Sequence, residues 1–81
     1  MDRLEKFLNR LIKSDRKRIE KITYQLEINN LDKLKMKKMK GFKNLFSVRV
    51  GKIRIVFMRE KSENLVLDID YRKNIYKKFS N

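Results

Sequence analysis

Residues 47–57 read SVRVGKIRIVF, and apolar side chains alternate with others on both sides of Gly51 and Lys52. This pattern is typical of two short strands joined by a two-residue turn. In that register Val50 pairs with Ile53, and Arg49 lies directly across from Arg54. Like charges that face each other across a strand pair are destabilising. The pairing therefore indicates that the two arginines serve a negatively charged ligand.

Alternation along these strands divides their side chains between two faces. One face is predicted to join the core and carries Phe46, Val48, Val50, Ile53, Ile55 and Phe57. The opposite face carries Ser47, Arg49, Arg54 and Val56. A third strand is predicted at residues 65–70, LVLDID, with Leu65, Leu67 and Ile69 toward the core. That orientation requires a connection of odd length, so we expect three residues around Ser62, Glu63 and Asn64, with Asn64 in the left-handed conformation.

Helical spacing governs both ends of the chain. Residues 2–12 place Leu4, Phe7, Leu8, Leu11 and Ile12 on one face. Ser14 or Asp15 is expected to cap a second helix, whose inward side chains are Ile19, Ile22, Tyr24 and Leu26. A helical hairpin is favoured over one long helix, whose apolar stripe would have no partner. Near the C terminus, Tyr71, Ile75 and Phe79 are four residues apart and predict a short helix, with Arg72 and Tyr76 on a neighbouring face.

The expected fold is a single α+β domain over residues 1–81. An N-terminal helical hairpin packs on a small antiparallel three-stranded sheet, and a short C-terminal helix follows. With 23 Lys and Arg against 10 Asp and Glu, the formal net charge is +13. So large an excess indicates a polyanionic partner, either nucleic acid or an acidic protein. No apolar run is long enough for a membrane span and no cleavable signal is visible, so we expect a cytoplasmic protein without a membrane partner.

Residue types that the chain lacks exclude several kinds of site. There is no Cys and no His, which removes thiolate zinc sites, thiol nucleophiles and the usual general base. Asp68 and Asp70 share a strand face and could hold a metal ion, but pairing with nearby Lys or Arg is the favoured interpretation. We therefore expect neither a metal nor a cofactor.

Residues 31–43, LDKLKMKKMKGFK, form a strongly basic segment. One interpretation is a solvated connector whose Leu31, Leu34, Met36 and Met39 reach the core. For the segment as a whole we favour a surface that faces an anion, because its charge has the sign of the global excess. The predicted nucleic-acid-binding residues are Lys35, Lys37, Lys38, Lys40, Lys43, Ser47, Lys52 and Lys73.

The candidate catalytic residues are Arg49, Arg54, Arg72 and Tyr76. Guanidinium groups suit a phosphate because their planar donors bind two oxygens at once. Arginines that converge on one phosphate would stabilise the charge that develops during phosphodiester cleavage. Tyr76 could stack on a base or deliver a proton. In RNA the strand's own 2′-hydroxyl can attack, so the protein need not supply a nucleophile.

Together, Lys40-Gly41-Phe42, FSVRVGKIRIVF at 46–57 and LDIDYRKNIY at 67–76 resemble the RelE/ParE superfamily of toxin–antitoxin systems. The likeness is to its RelE-type mRNA interferases, which show a Leu-x-Gly element, a Y-x-V-R-V-G-x-Y-R hairpin and a closing G-H-R-x-x-x-Y. It covers residues 15–79, and the first helix more loosely. It implies metal-independent cleavage of mRNA in the ribosomal A site. It also implies that Arg49 holds the substrate backbone, that Arg54 and Arg72 contact the scissile phosphate, and that Tyr76 orients a base.

Three features depart from that family. No strand is predicted before the first helix, which would leave a sheet edge uncovered. Ser47 stands where a lysine is common, and Asp70-Tyr71 stands where Gly-His is common. The expected partners are a cognate antitoxin, the ribosome and mRNA, and a homodimer and a toxin–antitoxin heterotetramer both stay open. Two alternative functions also stay open: a ParE-like inhibitor of DNA gyrase, and an RNA-binding relic with weak or absent cleavage.

Overall fold

The computed structural model describes residues 3–79. Three helices and four strands follow in the order α1 (Arg3–Arg10), α2 (Lys13–Glu27), β1 (Met36–Lys38), β2 (Leu45–Val50), β3 (Ile53–Glu60), β4 (Glu63–Tyr71) and α3 (Arg72–Lys78). The strands form one antiparallel sheet in the order β1-β2-β3-β4. The α+β prediction is therefore confirmed. The predicted helix start at residue 2 lies outside the described residues, and within residues 3–79 no helix has the length and apolar character needed to cross a bilayer.

The central hairpin has the register that its sequence predicts. Val50 pairs with Ile53, and Arg49 pairs with Arg54. Gly51 takes a φ of 60°, the left-handed conformation that the first position of a II′ turn requires. A side chain there would be strained, so this glycine fixes the turn and with it the pairing of the two arginines.

The sheet has four strands, and the prediction of three is wrong. Residues of the basic segment form β1, which pairs with β2 through Met36 opposite Val48 and Lys37 opposite Ser47. Within the described residues no strand precedes α1, but the edge of β2 is covered by β1. The lysines hid this strand, because two of its three residues are lysines and Met36 is the only one of the three that packs against the core.

The first face of the sheet is covered by the N-terminal helices. Ile19 and Leu26 of α2 are fully buried against Val48, Ile55 and Phe57. The break between α1 and α2 excludes the single long helix and gives two separate helices, each of which contacts β4. The predicted cap is wrong: α2 begins at Lys13 without a side-chain cap, ahead of Ser14 and Asp15. Tyr24, predicted to point inward, is 60% exposed.

Strand β4 departs from simple alternation. The connection to β3 has two residues, since Glu60 pairs with Glu63, and Lys61 rather than Asn64 takes the positive φ. Leu65 therefore falls opposite Met58 and is exposed, and Val66 replaces it against the core. A bulge follows in β4. Val66 pairs with Phe57 and Asp68 pairs with Val56, so Leu67 is an extra residue without a partner in β3. The extra residue leaves Leu67 exposed and returns Ile69 to the core, so the prediction holds for Ile69 alone.

Helix α3 covers the second face of the sheet. Its Ile75 is fully buried, and beneath it Val56 and Ser47 are almost inaccessible. Phe79 packs edge-on against Phe42, with ring centroids 6.1 Å apart. The predicted terminal helix is thus confirmed from Arg72 onward, but Tyr71, predicted on its buried face, instead ends β4 and packs edge-on against Phe7. The face that carries Arg54 is a second, smaller core rather than an open surface.

Candidate active site

Arg54 is a buried arginine on the second face of the sheet. It is 7% exposed, and its Nη1 donates a hydrogen bond to the Ser47 hydroxyl over 2.9 Å. Within residues 3–79 its Nε has no hydrogen-bond partner, and it forms no ion pair with a carboxylate. Buried charges are ordinarily paired, because burial removes their solvation. Arg54 therefore presents a positive charge that no carboxylate among the described residues neutralises.

Asp70 pairs with Arg54 in the strand register, yet its oxygens are engaged elsewhere. Oδ1 accepts hydrogen bonds from the Tyr71 backbone N–H (2.7 Å) and from Asn74 (3.1 Å), and Oδ2 accepts one from Lys78 Nζ (2.7 Å). Burial raises the pKa of Asp70, but the hydrogen bonds from Lys78, Asn74 and Tyr71 outweigh it and hold that pKa below its ordinary value. The Asp70 carboxylate is therefore ionised and bound to Lys78.

Asp68 is held in the same way. It accepts hydrogen bonds from Arg3 (2.6 Å) and from Lys78 (3.0 Å), and it is 3% exposed. Both aspartates are therefore paired with basic side chains, which is the interpretation that the sequence favoured over a metal site. These ion pairs join two helices to strand β4: Arg3 connects α1 to it, and Lys78 connects α3 to it.

Arg72 and Tyr76 lie one turn apart on α3. The start of this helix is fixed by a hydrogen bond from the Arg72 backbone N–H to the Lys52 carbonyl over 2.7 Å, which ties α3 to the β2–β3 turn. Arg72 Nε donates a hydrogen bond to the Tyr76 hydroxyl over 2.9 Å. The Arg72 and Arg54 guanidinium carbons lie 5.4 and 5.9 Å from the Tyr76 ring centroid, within the range of cation–π contacts.

These two arginines change the acidity of the phenol. The hydrogen bond from Arg72 and the positive charges of Arg54 and Arg72 stabilise the phenolate, and they outweigh the opposing effect of desolvation. The pKa of Tyr76 consequently lies below its ordinary value. A more acidic phenol is a better proton donor near neutral pH.

Tyr76 separates two clefts that meet at its ring. The first, named the turn cleft, has a volume of about 570 Å³ and is lined by Arg49, Gly51, Lys52, Tyr71, Arg72, Lys73 and Tyr76. The second, named the lysine cleft, has a volume of about 510 Å³ and is lined by Lys37, Lys38, Met39, Lys40, Ser47, Arg54, Tyr76 and Phe79. Each cleft has several basic side chains in its wall, as expected for a surface that binds a polyanion.

The four candidate catalytic residues lie near one another but do not surround one cavity. Arg49 and Arg72 line the turn cleft, whereas Arg54 reaches Tyr76 from the lysine cleft. Arg49 is exposed, and its Nε donates a hydrogen bond to the Gly51 carbonyl over 3.0 Å, so its side chain lies along the turn. Tyr76 is the residue that joins the two groups.

The predicted binding residues are distributed over the same clefts. Lys37, Lys38, Lys40 and Ser47 line the lysine cleft, and Lys52 and Lys73 line the turn cleft. Lys43 lies in a shallow groove beside Lys40 and Gly41. Lys35 directly precedes β1 and lines neither cleft nor this groove. Ser47 is buried, and its hydroxyl is occupied by Arg54.

Sequence reasoning missed three contributors to the site. Met39 and Phe79 supply apolar walls of the lysine cleft, and Lys78 binds the carboxylate opposite Arg54. Phe79 was predicted as a core residue, and its second role follows only from how α3 crosses the sheet. Nothing in the local sequence distinguishes Lys78 from the lysine beside it.

The fold and the site can be compared with known proteins. No protein-family model and no curated protein matches this sequence. Among solved structures, a RelB–RelE antitoxin–toxin complex from Methanococcus jannaschii matches with a TM-score of 0.75 and 31% sequence identity, over 98% of this chain and 95% of that one. The α+β fold is thus that of a toxin–antitoxin system protein. The chain belongs to the RelB–RelE toxin–antitoxin family.

Proposed function

We propose that this chain is the toxin of its system, a RelE-type endoribonuclease that cuts mRNA on the ribosome without a metal ion. The observation that carries the proposal is the position of two arginines around one phenol. Arg54 and Arg72 both lie within 6 Å of the Tyr76 ring, at 5.9 and 5.4 Å, and neither forms an ion pair with a carboxylate in the described residues. Such a group suits a phosphate that gains negative charge.

In the proposed reaction the 2′-hydroxyl of the RNA attacks the adjacent phosphorus. The new bond joins the 2′-oxygen to phosphorus, the bond to the 5′-oxygen breaks, and the products are a 2′,3′-cyclic phosphate and a 5′-hydroxyl. Arg54 and Arg72 bind the non-bridging oxygens and stabilise the pentacoordinate transition state. Tyr76 donates its proton to the departing 5′-oxygen, and solvent takes the proton of the 2′-hydroxyl.

The basic clefts support the assignment as toxin. A net charge of +13 suits a component that binds RNA, and it calls for an acidic partner in the resting complex. We infer that the cognate antitoxin is that partner and covers the turn and lysine clefts with an acid-rich, amphipathic segment. The neighbouring structure is itself a complex of an antitoxin with a toxin, which agrees with this arrangement.

The test is expression of the chain without its antitoxin, followed by primer extension on cellular mRNA. The wild-type protein is expected to arrest growth and to produce new 5′ ends within translated regions. Arg54→Ala and Arg72→Ala are expected to abolish both effects, whereas Lys33→Ala, which alters an exposed lysine outside both clefts, is expected to leave them unchanged. Arrest without new 5′ ends would overturn the nuclease assignment.

Two observations favour a second candidate, an RNA-binding protein that does not cleave. Ser47 already occupies Nη1 of Arg54, and the chain has no histidine to act as a base. This candidate predicts salt-sensitive RNA binding without products, because contacts with the phosphate backbone release counterions. A supercoiling assay run beside the cleavage assay also separates both candidates from a gyrase inhibitor.

A further inference from the structure

We propose that Lys78 is a positioning residue for the candidate active site: it binds Asp70 and so prevents that carboxylate from neutralising Arg54. Lys78 lies in the last turn of α3, whereas Arg72, which binds Tyr76, lies in the first. The inference rests on the proposed function in one respect: a free Arg54 matters because it would contact the RNA phosphate. The competition between Lys78 and Arg54 for Asp70 does not depend on that function.

The register makes Asp70 the natural partner of Arg54. The two residues pair across β3 and β4, where opposite side chains have Cβ atoms about 4.5–5.5 Å apart. Arg54 is nearly buried and its Nε is unpartnered within residues 3–79. A carboxylate opposite a desolvated guanidinium would ordinarily pair with it, because the charges are poorly screened there.

Lys78 competes successfully for that carboxylate. Its Nζ lies 2.7 Å from Asp70 Oδ2 and 3.0 Å from Asp68 Oδ2, so one ammonium group is bound by two carboxylates. Hydrogen bonds to Asp70, followed by those to Asp68, raise the pKa of Lys78 despite partial burial, which keeps its charge in place. Arg3 binds Asp68 at 2.6 Å, so the two carboxylates are balanced by two basic side chains, Lys78 and Arg3.

Removal of the Lys78 charge should therefore transfer Asp70 to Arg54. The Arg54 guanidinium would stay in place, but the Asp70 carboxylate would neutralise its charge, so it would attract a phosphate in the lysine cleft less strongly. Removal of the Asp70 charge at the same time should free Arg54 again. A purely structural role for Lys78 predicts no such recovery, because the double variant lacks the ion pair altogether. Rescue by the second substitution is therefore the distinguishing result.

The experiment measures binding of a short oligoribonucleotide whose 2′-O-methyl groups prevent cleavage. Lys78→Met is expected to weaken binding at least about tenfold, the scale of one lost charge-assisted hydrogen bond. It should also lower the slope of log affinity against log salt by about 0.7, the value for one phosphate contact on a single strand. Lys78→Met combined with Asp70→Asn should restore both quantities. Lys78→Arg should resemble the wild type, as should Lys33→Met, which removes an equal charge outside the clefts.

A second measurement reports on Arg54 whether or not RNA binds. The Arg54 Nε–H resonance in the NMR spectrum should shift in Lys78→Met, as Asp70 arrives, and should return in the double variant. An unmoved resonance in Lys78→Met, or a double variant that binds RNA as weakly as the single one, would overturn the inference. If the wild type fails to bind RNA while the resonance behaves as expected, the proposed function fails and the positioning role of Lys78 stands.

Discussion

Arg72 and Tyr76 are joined by a hydrogen bond of 2.9 Å from the guanidinium Nε to the phenol oxygen, one turn apart on α3. The backbone N–H of the same arginine donates to the Lys52 carbonyl over 2.7 Å. Arg72 thus holds the start of α3 against the β2–β3 turn through its backbone, and it holds the Tyr76 hydroxyl in place through its side chain. The position of Tyr76 between the two clefts follows from these two bonds.

Replacement of Tyr76 by Phe should remove the proposed proton donor while leaving the ring in place. We expect the rate of mRNA cleavage to fall about 10²- to 10⁴-fold, the usual contribution of a positioned acid. Stability should be unchanged, because Tyr76 is 45% exposed. Single-turnover cleavage and thermal unfolding measure the two effects, with Tyr24→Phe as a control on an exposed tyrosine outside both clefts. A fully active Tyr76→Phe would exclude the acid role.

The acidity of Tyr76 should depend on Arg72. Because the arginine stabilises the phenolate, Arg72→Gln is expected to raise the Tyr76 pKa toward its ordinary value. Spectrophotometric titration of the phenolate, with a Tyr76→Phe protein subtracted to remove Tyr24 and Tyr71, measures the change. A Tyr76 pKa that is the same in wild type and Arg72→Gln would show that the hydrogen bond has no electrostatic effect.

The Asp70 carboxylate should make stability depend on acidic pH. Its pKa in the folded protein is lowered from the ordinary 3.8, so its stabilising contribution is present above that value and is lost as the pH falls through the folded-state pKa. Asp70→Asn should remove this contribution, so it should lower the stability at neutral pH and flatten the acidic part of the profile. Urea unfolding between pH 2 and 7 tests the expectation, which identical profiles for the two proteins would contradict.

Packing of α3 should depend on Ile75. This side chain is fully buried between the helix and the sheet, and truncation to Ala is expected to cost about 2–5 kcal/mol of unfolding free energy. Because the helix carries Arg72 and Tyr76, RNA cleavage should fall with stability. Ile12→Ala serves as the control, since Ile12 is 67% exposed and its truncation should cost little. Equal unfolding free energies for the two variants would show that α3 does not contribute to the core.

Much of the fold could be predicted because local chemistry and tertiary packing agree. Gly51 permits one tight turn, which fixes the opposition of Arg49 and Arg54, and the four-residue spacing of Ile75 and Phe79 defines α3. The strand β1 was missed because lysines outnumber the apolar residues that mark a strand. The face of Leu65 was assigned wrongly because the connection from β3 has two residues instead of three, and the bulge at Leu67 then shifts the alternation again and returns Ile69 to the core.

The candidate site was only partly predictable for a different reason. Residue types identified the arginines and Tyr76, but their grouping depends on how α3 crosses the sheet. The crossing buries Ser47 and Arg54, and it places Tyr76 between two clefts instead of beside one. The same crossing brings Lys78 to Asp70, a contact between residues that share no motif.

The most direct test of the central claim is cleavage of end-labelled mRNA on programmed ribosomes by the purified protein, with no divalent ion added beyond those that the ribosome holds. We predict a 2′,3′-cyclic phosphate at a discrete position, with no product from Arg72→Ala or from mRNA that carries a 2′-deoxynucleotide there. Cleavage that survives either change, or intact mRNA with the wild-type protein, would contradict the account.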